Sequence, residues 1–182
     1  MRVLTGHAKG VRLKASRAPA LRPTSSRVRT ALFDVLGNID DLRVLDLFAG
    51  TGSLGIEALS RGAASADFVE RNFRLCQGIR DNLRKAGLEG DSHVICAMSH
   101  KAMATLAGPY DLVLMDPPYD LPGTPELLAA LGGSTLLAPG AIVVLEHAWR
   151  GGVIEGAGRL KRTDMRRYGD TAVSYYRLEN AT

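Results

Sequence analysis

Two alternating patterns of apolar residues divide most of this 182-residue chain into predicted strands and helices. Compact apolar runs, which are typical of buried strands, occupy 43–48, 67–70, 93–96, 111–115, 141–146 and 173–178. Apolar residues spaced three or four positions apart predict helices between them, at 54–59, around 75–83, weakly at 99–107, and at 125–131. Strands that alternate with helices predict an α/β fold, with a doubly wound, mostly parallel sheet and an antiparallel strand at the end.

The first 23 residues are predicted to form a small N-terminal extension, and residues 24–182 the main domain. Strand-like stretches at 2–5 and 11–15 flank a turn at Gly10, a pattern typical of a β-hairpin. A helix is expected to follow, capped by Thr24 or Ser25, because a hydroxyl at that position accepts from unpaired backbone N–H groups.

Basic residues are concentrated near both ends of the chain, whose net charge is +4. The first 33 residues contain no acid and eight basic residues, Arg2, Lys9, Arg12, Lys14, Arg17, Arg22, Arg27 and Arg29. A second basic group comprises Arg159, Lys161, Arg162, Arg166 and Arg167. This distribution favours a polyanion such as nucleic acid as partner, and charge alone leaves a merely solvated surface as the alternative.

Apolar stretches, cysteines and histidines indicate the location of the protein and whether it binds metal. No apolar stretch approaches the roughly 18 residues of a membrane span, and no apolar core of a secretory signal is seen at the N-terminus. Cys76 and Cys96 are far apart in the sequence, which favours a reduced, cytoplasmic protein. The four histidines show no metal-ligand spacing, so no metal is expected. We expect a monomer, as nothing in the sequence indicates an oligomer.

A glycine-rich turn follows the first strand of the alternating region. Gly50 to Gly55 spell G-x-G-x-x-G between a strand and a helix, the context in which this motif binds a nucleotide-like ligand. Gly52 helps the backbone to approach that ligand, and Glu70, at the end of the next strand, is suited to bind ribose hydroxyls. Nicotinamide dinucleotides and S-adenosylmethionine both carry such a ribose. Asp46, just before the loop, disfavours a pyrophosphate and favours the cationic end of S-adenosylmethionine.

The strand at 111–115 ends in the tetrad Asp116-Pro117-Pro118-Tyr119. Because proline has no N–H to donate, strand pairing stops there and backbone carbonyls face the end of the sheet. A carboxylate, free carbonyls and a flat ring together suit a planar group that bears an amino donor. The tetrad therefore predicts an enzyme that modifies an exocyclic or ring-linked nitrogen.

Residues 46–52 and the tetrad resemble the motifs of class I S-adenosylmethionine-dependent methyltransferases that act on nitrogen. Within that class the chain is similar to the RsmD family, bacterial 16S ribosomal RNA guanine-N2 methyltransferases. That similarity is carried by Arg22-Pro23-Thr24-Ser25-Ser26-Arg27-Val28-Arg29 with Ala31-Leu32-Phe33, by 54–63, and by Tyr168-Gly169-Asp170-Thr171. The resemblance implies a Rossmann-like, seven-stranded sheet and methyl transfer to the N2 of a guanine in small-subunit ribosomal RNA.

The resemblance also implies roles for individual residues. The tetrad would be catalytic: Asp116 and the Pro117 carbonyl would accept hydrogen bonds from the target amine, and Tyr119, beside Pro118, would stack on the base. The implied cofactor-binding residues are Asp46, Phe48, Gly50, Gly52, Glu70, Arg22 and Thr24. The candidates for RNA contact are Lys9, Arg12, Arg27 and Arg29.

One position departs from the family pattern. Family members usually carry an acid after the third strand, near the adenine of the cofactor, whereas this chain has Ala97-Met98 there. We expect backbone atoms of these two residues, or packing of Met98 on the ring, to hold the adenine instead.

Other functions remain open from the sequence. A DNA adenine-N6 methyltransferase shares the tetrad but needs a target-recognition domain, for which this chain has little room. A non-catalytic nucleic-acid-binding module with a retained cofactor fold is a second alternative, and a dehydrogenase is a distant third. The RNA substrate is expected to be free RNA or a partly assembled small subunit, and the few recognition elements of so small a chain favour the subunit.

Overall fold

The computed structural model describes residues 1–14, 25–119, 121–150 and 154–179. The helices are α1 (Ser26–Leu36), α2 (Ser53–Ser60), α3 (Phe73–Ala86), α4 (Ser99–Met103) and α5 (Thr124–Gly133). The strands are β1 (Arg43–Asp46), β2 (Ser65–Glu70), β3 (Ser92–Cys96), β4 (Tyr110–Met115), β5 (Leu137–Ala148), β6 (Gly156–Ala157), β7 (Leu160–Tyr168) and β8 (Thr171–Leu178). None of the helices in these ranges is long and apolar enough to cross a membrane.

The strands form one sheet in the order β3-β2-β1-β4-β5-β8-β7-β6. In this order, the neighbouring strands from β3 through β5 are parallel. The pairs β5-β8, β8-β7 and β7-β6 are antiparallel. The order reverses between β1 and β4, so the carboxyl ends of these two strands border the crevice in which open α/β sheets bind their ligands. The predicted doubly wound fold is thereby confirmed.

Within the described part of the chain the sheet has eight strands where seven were expected, because the two-residue β6 extends its edge. The apolar pattern also fails to predict β7, whose sequence is dominated by charged residues. Several of these charges pair locally, Arg162 with Glu155 at 2.7 Å and Arg166 with Asp164 at 2.8 Å. Charged side chains are tolerated near the edge of a sheet, where they also discourage pairing with another chain.

The predicted N-terminal hairpin is reduced to a single antiparallel bridge between Arg2 and Arg12. The Val3 N–H donates to the Val11 carbonyl at 3.1 Å, so the two segments do run side by side. Residue 15, the last of the predicted second strand, lies outside the described residues, as does the predicted domain boundary at 23.

The N-terminal segment packs on the main core. Val3 and Leu13 are buried in the same cluster as the apolar faces of α1 and α2. The Glu57 carboxylate on α2 accepts the backbone N–H groups of Leu4 at 2.8 Å and Thr5 at 3.0 Å. A buried carboxylate with these partners holds the segment against the helix that follows the glycine loop.

The helix boundaries follow the predicted signals closely. Ser25 caps α1 by accepting from the Val28 N–H, and Thr24 lies outside the described residues. Gly87 ends α3 in the left-handed conformation with φ 70°. Only α4 is clearly shorter than expected, ending at Met103 where the sequence predicted weak helix to 107.

Candidate active site

A cavity of about 1090 Å³ opens at the carboxyl ends of the central strands. Its wall brings together most residues predicted for the site, namely Asp46, Phe48, Gly50, Glu70, Asp116, Pro117, Pro118 and Tyr119. Gly52 does not line it but forms the N-cap of α2 with φ 79°. Arg22 and Thr24 lie outside the described residues, so their predicted cofactor contacts stay predictions.

Asp46 ends β1 as a fully buried carboxylate. Its Oδ2 accepts the Gly55 N–H at 2.9 Å, while Oδ1 has no hydrogen-bond partner among the described residues. Burial raises the pKa of Asp46 to about 7, the Gly55 hydrogen bond opposes this, and the nearby Asp116 and Glu70 carboxylates add to the rise. An ionised carboxylate is costly in such surroundings unless a cation pairs with it, so this end of the cavity suits a cationic group.

Glu70 shapes the glycine loop from the end of β2. Its Oε2 accepts the Gly50 N–H at 3.0 Å and its Oε1 accepts the Asn72 N–H at 2.8 Å. Each carboxylate oxygen has a second acceptor site, so a diol can still bind while the loop remains held.

The third glycine of the motif, Gly55, is needed for close packing between α2 and the sheet. A Cβ built on Gly55 would lie 2.3 Å from Cε1 of Phe68, which is fully buried on β2. Only glycine therefore lets α2 pack this closely on the sheet and bring the glycine loop against the cavity.

Gly55→Ala is expected to destabilise the fold by about 1–3 kcal/mol, because the added methyl group forces Phe68 or α2 to shift. Thermal unfolding measures the effect as a lower Tm. Gly78→Ala is the matched control, since Gly78 lies within α3 and a Cβ there meets nothing within 4 Å. That control should unfold at the same temperature or higher, and an equal loss in both variants would contradict the packing account.

Arg29 is buried, contrary to its predicted position on an RNA-binding surface. It was expected to contact RNA, but it is 1% exposed and lines the cavity from α1. Its Nη2 donates to the Arg2 carbonyl at 2.7 Å, and its Nε lies 3.8 Å from Glu57 Oε2. A guanidinium buried at this depth is not on the surface that an RNA backbone would meet. Burial lowers the pKa of Arg29, and Glu57 raises it in part.

Arg29 and Asp46 together give the cavity an unusual pair of incompletely satisfied charges. Nε and Nη1 of Arg29, like Oδ1 of Asp46, have no hydrogen-bond partner among the described residues. Buried polar atoms are normally paired. Both residues line the cavity, so a ligand end that carries both an ammonium and a carboxylate, as an amino acid does, would find a residue of opposite charge for each group.

Ala97 and Met98 stand where members of the family usually carry an acid near the cofactor adenine. The Ala97 N–H donates to the Glu70 carbonyl at 3.1 Å, so this amide is already used within the protein. Met98 lines the cavity with 49% of its surface exposed. The exposed, flexible Met98 side chain suits packing on a planar ring, and the other backbone atoms of Ala97 and Met98 stay the alternative that the sequence suggests.

The tetrad lies between the central strand pair and the antiparallel part of the sheet. Asp116 follows β4, which pairs with β1 on one side and β5 on the other. The Tyr119 hydroxyl is 2.7 Å from Oγ1 of Thr171 and donates to Oε1 of Glu146 at 3.3 Å. Burial raises the pKa of the Tyr119 phenol. Glu146 is buried and lines the cavity, whereas Thr171 reaches the tetrad from β8 and was not predicted as a site residue.

The other predicted RNA-contact residues, Lys9, Arg12 and Arg27, are exposed. The backbone of Arg12 forms a β-bridge with that of Arg2, and Arg27 follows Ser26 in α1. Arg2 and Ser26 both line the cavity. Lys9 follows His7 and Ala8, whose backbone N–H groups donate to Ser60 at the end of α2 farther from the glycine loop. Arg12 and Arg27 are therefore the better placed of the three for a substrate that enters the cavity.

A family model described as "Conserved hypothetical protein 95" matches residues 1–177. Ribosomal RNA small subunit methyltransferase D of Escherichia coli is 34% identical over 154 residues, which are 84% of this chain and 77% of that protein. The chain belongs to the RsmD family. YlbH of Bacillus subtilis is 35% identical over 181 residues, covering 97% of this chain and 98% of YlbH. The resemblance to the RsmD family is thus confirmed over nearly the whole chain.

Solved structures support the same fold. The structure of yhhF from Escherichia coli has a TM-score of 0.88 at 30% identity and covers 98% of both chains. An RNA methyltransferase from Salinibacter ruber in complex with S-adenosyl-L-homocysteine has a TM-score of 0.70 at 20% identity, with 88% of this chain and 96% of that chain covered. The second likeness shows the fold alone. The RsmD-family chain therefore has the Rossmann-like methyltransferase fold that the sequence predicted.

Proposed function

We propose that the protein transfers a methyl group from S-adenosylmethionine to the exocyclic N2 of a guanine in small-subunit ribosomal RNA. The observation that carries the proposal is the convergence of Asp46 and the tetrad on one cavity, where each lies at the carboxyl end of one of two neighbouring strands. One carboxylate suits the cationic end of a methyl donor, and the other suits an amine that would receive the methyl group.

The cavity fits S-adenosylmethionine by its donor and acceptor groups. Asp46 would take the ammonium and Arg29 the carboxylate of the methionine end, while Glu70 would bind the ribose and Met98 would pack on the adenine. Phe48 and Gly50 would complete the wall beside the glycine loop. When bound, this group supplies an electrophilic methyl on a sulfonium.

The tetrad would prepare the acceptor amine. The N2 lone pair of guanine is delocalised into the ring, so the amine is a weak nucleophile. Hydrogen bonds from the amine to the Asp116 carboxylate and the Pro117 carbonyl would hold the nitrogen in line with the methyl group, which is mainly catalysis by positioning. After transfer the nitrogen loses one proton, and Asp116 or water would take it. Tyr119 would stack on a base turned out of its helix.

The choice of nucleic acid rests on the relatives and on charge. The Escherichia coli relative is named for methylation of small-subunit ribosomal RNA, and the exposed Arg12 and Arg27 neighbour Arg2 and Ser26, which line the cavity. The competing function, methylation of adenine N6 in DNA, shares the tetrad but has no further support among these observations. Methylation of small-subunit ribosomal RNA is therefore the function that we favour, and the choice of guanine N2 rests on the resemblance to the RsmD family.

Labelled methyl transfer to three substrates tests the class of nucleic acid. We expect label in small-subunit particles from cells that lack the enzyme, less in protein-free 16S RNA, and none in duplex DNA. Equal transfer to free RNA and particles would remove the assembled subunit from the proposal. Label in DNA alone would contradict it.

Arg12→Ala and Arg27→Ala are each expected to weaken binding to small-subunit particles and to lower the slope of log affinity against log salt by about 1, as loss of one phosphate contact does. Filter binding at several salt concentrations measures both quantities. Lys161→Ala is the control, because Lys161 is exposed but lies at the end of β7 farther from Thr171 and the tetrad. An equal change in Lys161→Ala would mean that the effect reflects total charge and not a surface beside the cavity.

A further inference from the structure

The segment Tyr168-Gly169-Asp170-Thr171, which carried part of the family likeness, has no role in the function proposed so far. It forms the turn between β7 and β8, with Gly169 in the left-handed conformation at φ 67°. The Asp170 carbonyl accepts the Trp149 N–H at 2.9 Å. The turn is thereby fixed to the end of β5, and Thr171 begins β8 beside the tetrad.

Thr171 directly contacts the aromatic residue of the tetrad. It is 9% exposed, and its hydroxyl is 2.7 Å from the Tyr119 hydroxyl. Tyr119 also donates to Glu146 Oε1 at 3.3 Å. The geometry allows the phenol to donate to Glu146, and it allows either hydroxyl to donate within the Tyr119–Thr171 pair. Two buried groups on adjacent strands thus hold the end of one ring.

The rest of the Tyr119 ring is open. The residue is 41% exposed, and it lines both the large cavity and a smaller pocket of about 260 Å³ whose other walls are Ala148, Arg150 and Asp170. The ring therefore stands between the two spaces, held at its hydroxyl end and exposed on its surface. A ring fixed in this way is already ordered before a planar group stacks on it.

We propose that Thr171 is a positioning residue for methyl transfer, holding the Tyr119 phenol with Glu146 so that the ring is a fixed platform for the target base. This inference rests on the proposed function, in which a base enters beside Tyr119. Particle binding is set by the wider surface, whereas placement of the base follows binding. The anchor should therefore affect kcat and leave KM for the particle nearly unchanged.

Removal of the Thr171 hydroxyl tests the proposal. Thr171→Val keeps the shape of the side chain and is expected to lower kcat about three- to tenfold, the cost of ordering one side chain at the moment of stacking. Thr171→Ser keeps the hydroxyl and should restore the rate. In a Tyr119→Phe background, Thr171→Val should cause no further loss, since the contact is already absent. The same loss in both backgrounds, or full activity of Thr171→Val, would overturn the proposal.

A second measurement does not depend on activity. With 3-fluorotyrosine at position 119, the ¹⁹F NMR spectrum of the otherwise unchanged protein should show one sharp resonance, which Thr171→Val shifts and broadens and Thr171→Ser does not. An unchanged resonance in Thr171→Val would overturn the anchor. Failure of the unsubstituted enzyme to methylate the particles would count against the proposed function, and the fluorine spectrum would still decide on the anchor. If Thr171→Val does not fold, Tyr119→Phe alone decides, because full activity without the phenol hydroxyl also overturns it.

Discussion

Asp116→Ala is expected to lower the rate of methyl transfer by about 10²- to 10⁴-fold, the range typical for loss of a group that orients an acceptor and takes its proton. The reason is that, in the proposed reaction, the Asp116 carboxylate accepts one N–H of the target amine, and the Pro117 carbonyl alone cannot fix both N–H directions. Single-turnover transfer to small-subunit particles measures the rate. S-adenosylmethionine binding, measured by calorimetry, should persist, because Asp46, Glu70 and the glycine loop are unchanged.

Asp111→Asn provides the matched control. Asp111 lies near the start of β4, whereas Asp116 follows the other end of that strand, and Oδ2 of Asp111 accepts the Arg43 N–H at 2.9 Å. An asparagine oxygen can keep that hydrogen bond, so transfer should proceed at the normal rate. Substantial activity in Asp116→Ala, with the control also active, would show that the tetrad carboxylate is not part of the chemistry.

Asp46→Asn is expected to have two opposite effects, weaker cofactor binding and a more stable fold. The asparagine oxygen can still accept from Gly55, but the negative charge opposite the ammonium is lost. Loss of one charge-assisted hydrogen bond predicts a roughly 10- to 100-fold higher Kd for S-adenosylmethionine. Calorimetric titration at pH 8 measures it. An unchanged Kd would remove Asp46 from the cofactor site.

The stability effect follows from the pKa of Asp46, raised from 3.8 to about 7 in the folded protein. A raised pKa means that the folded state is favoured when the group is protonated, so stability is lost as pH rises from about 4 to about 7. Asp46→Asn removes this loss, a gain on the order of 2–4 kcal/mol above pH 7. The increase in Tm over the parent protein should therefore be larger at pH 8 than at pH 5. A purely structural aspartate would instead be destabilised by the substitution at both pH values.

The same titration predicts that cofactor affinity depends on pH. In the proposed complex the ammonium pairs with ionised Asp46, so binding should weaken below pH 7, by about tenfold per pH unit at most. In Asp46→Asn this component should vanish. The pair of measurements separates Asp46 from other groups that titrate in the same range.

Most of the fold and the centre of the site could be predicted because their signals are local. The strand, glycine turn and helix around Asp46 lie within a few residues of one another, and the proline pair after β4 marks the end of that strand directly. Strand order, which makes Asp46 and Asp116 neighbours, is not local, and it was supplied by the resemblance to a known family.

What escaped prediction depends on distant partners. Arg29 is followed closely by the buried Leu32 and Phe33, and nothing in its own segment distinguishes it from a surface arginine. It is buried because Glu57 and the Arg2 carbonyl, both far away in sequence, receive it. The sequence around Thr171 is likewise that of an ordinary strand. Its hydroxyl reaches Tyr119 because of the position of the β7–β8 turn. The strand β7 escaped because its charges hide the alternation that identifies a strand.

The most direct test is the identity of the methylated nucleoside. Small-subunit particles from cells that lack the enzyme are incubated with the purified protein and S-adenosylmethionine, and their RNA is digested and analysed by mass spectrometry. We predict N2-methylguanosine as the new nucleoside, at one position and absent with Asp116→Ala. A methyl group on adenine N6, or on any base in the Asp116→Ala reaction, would contradict the account.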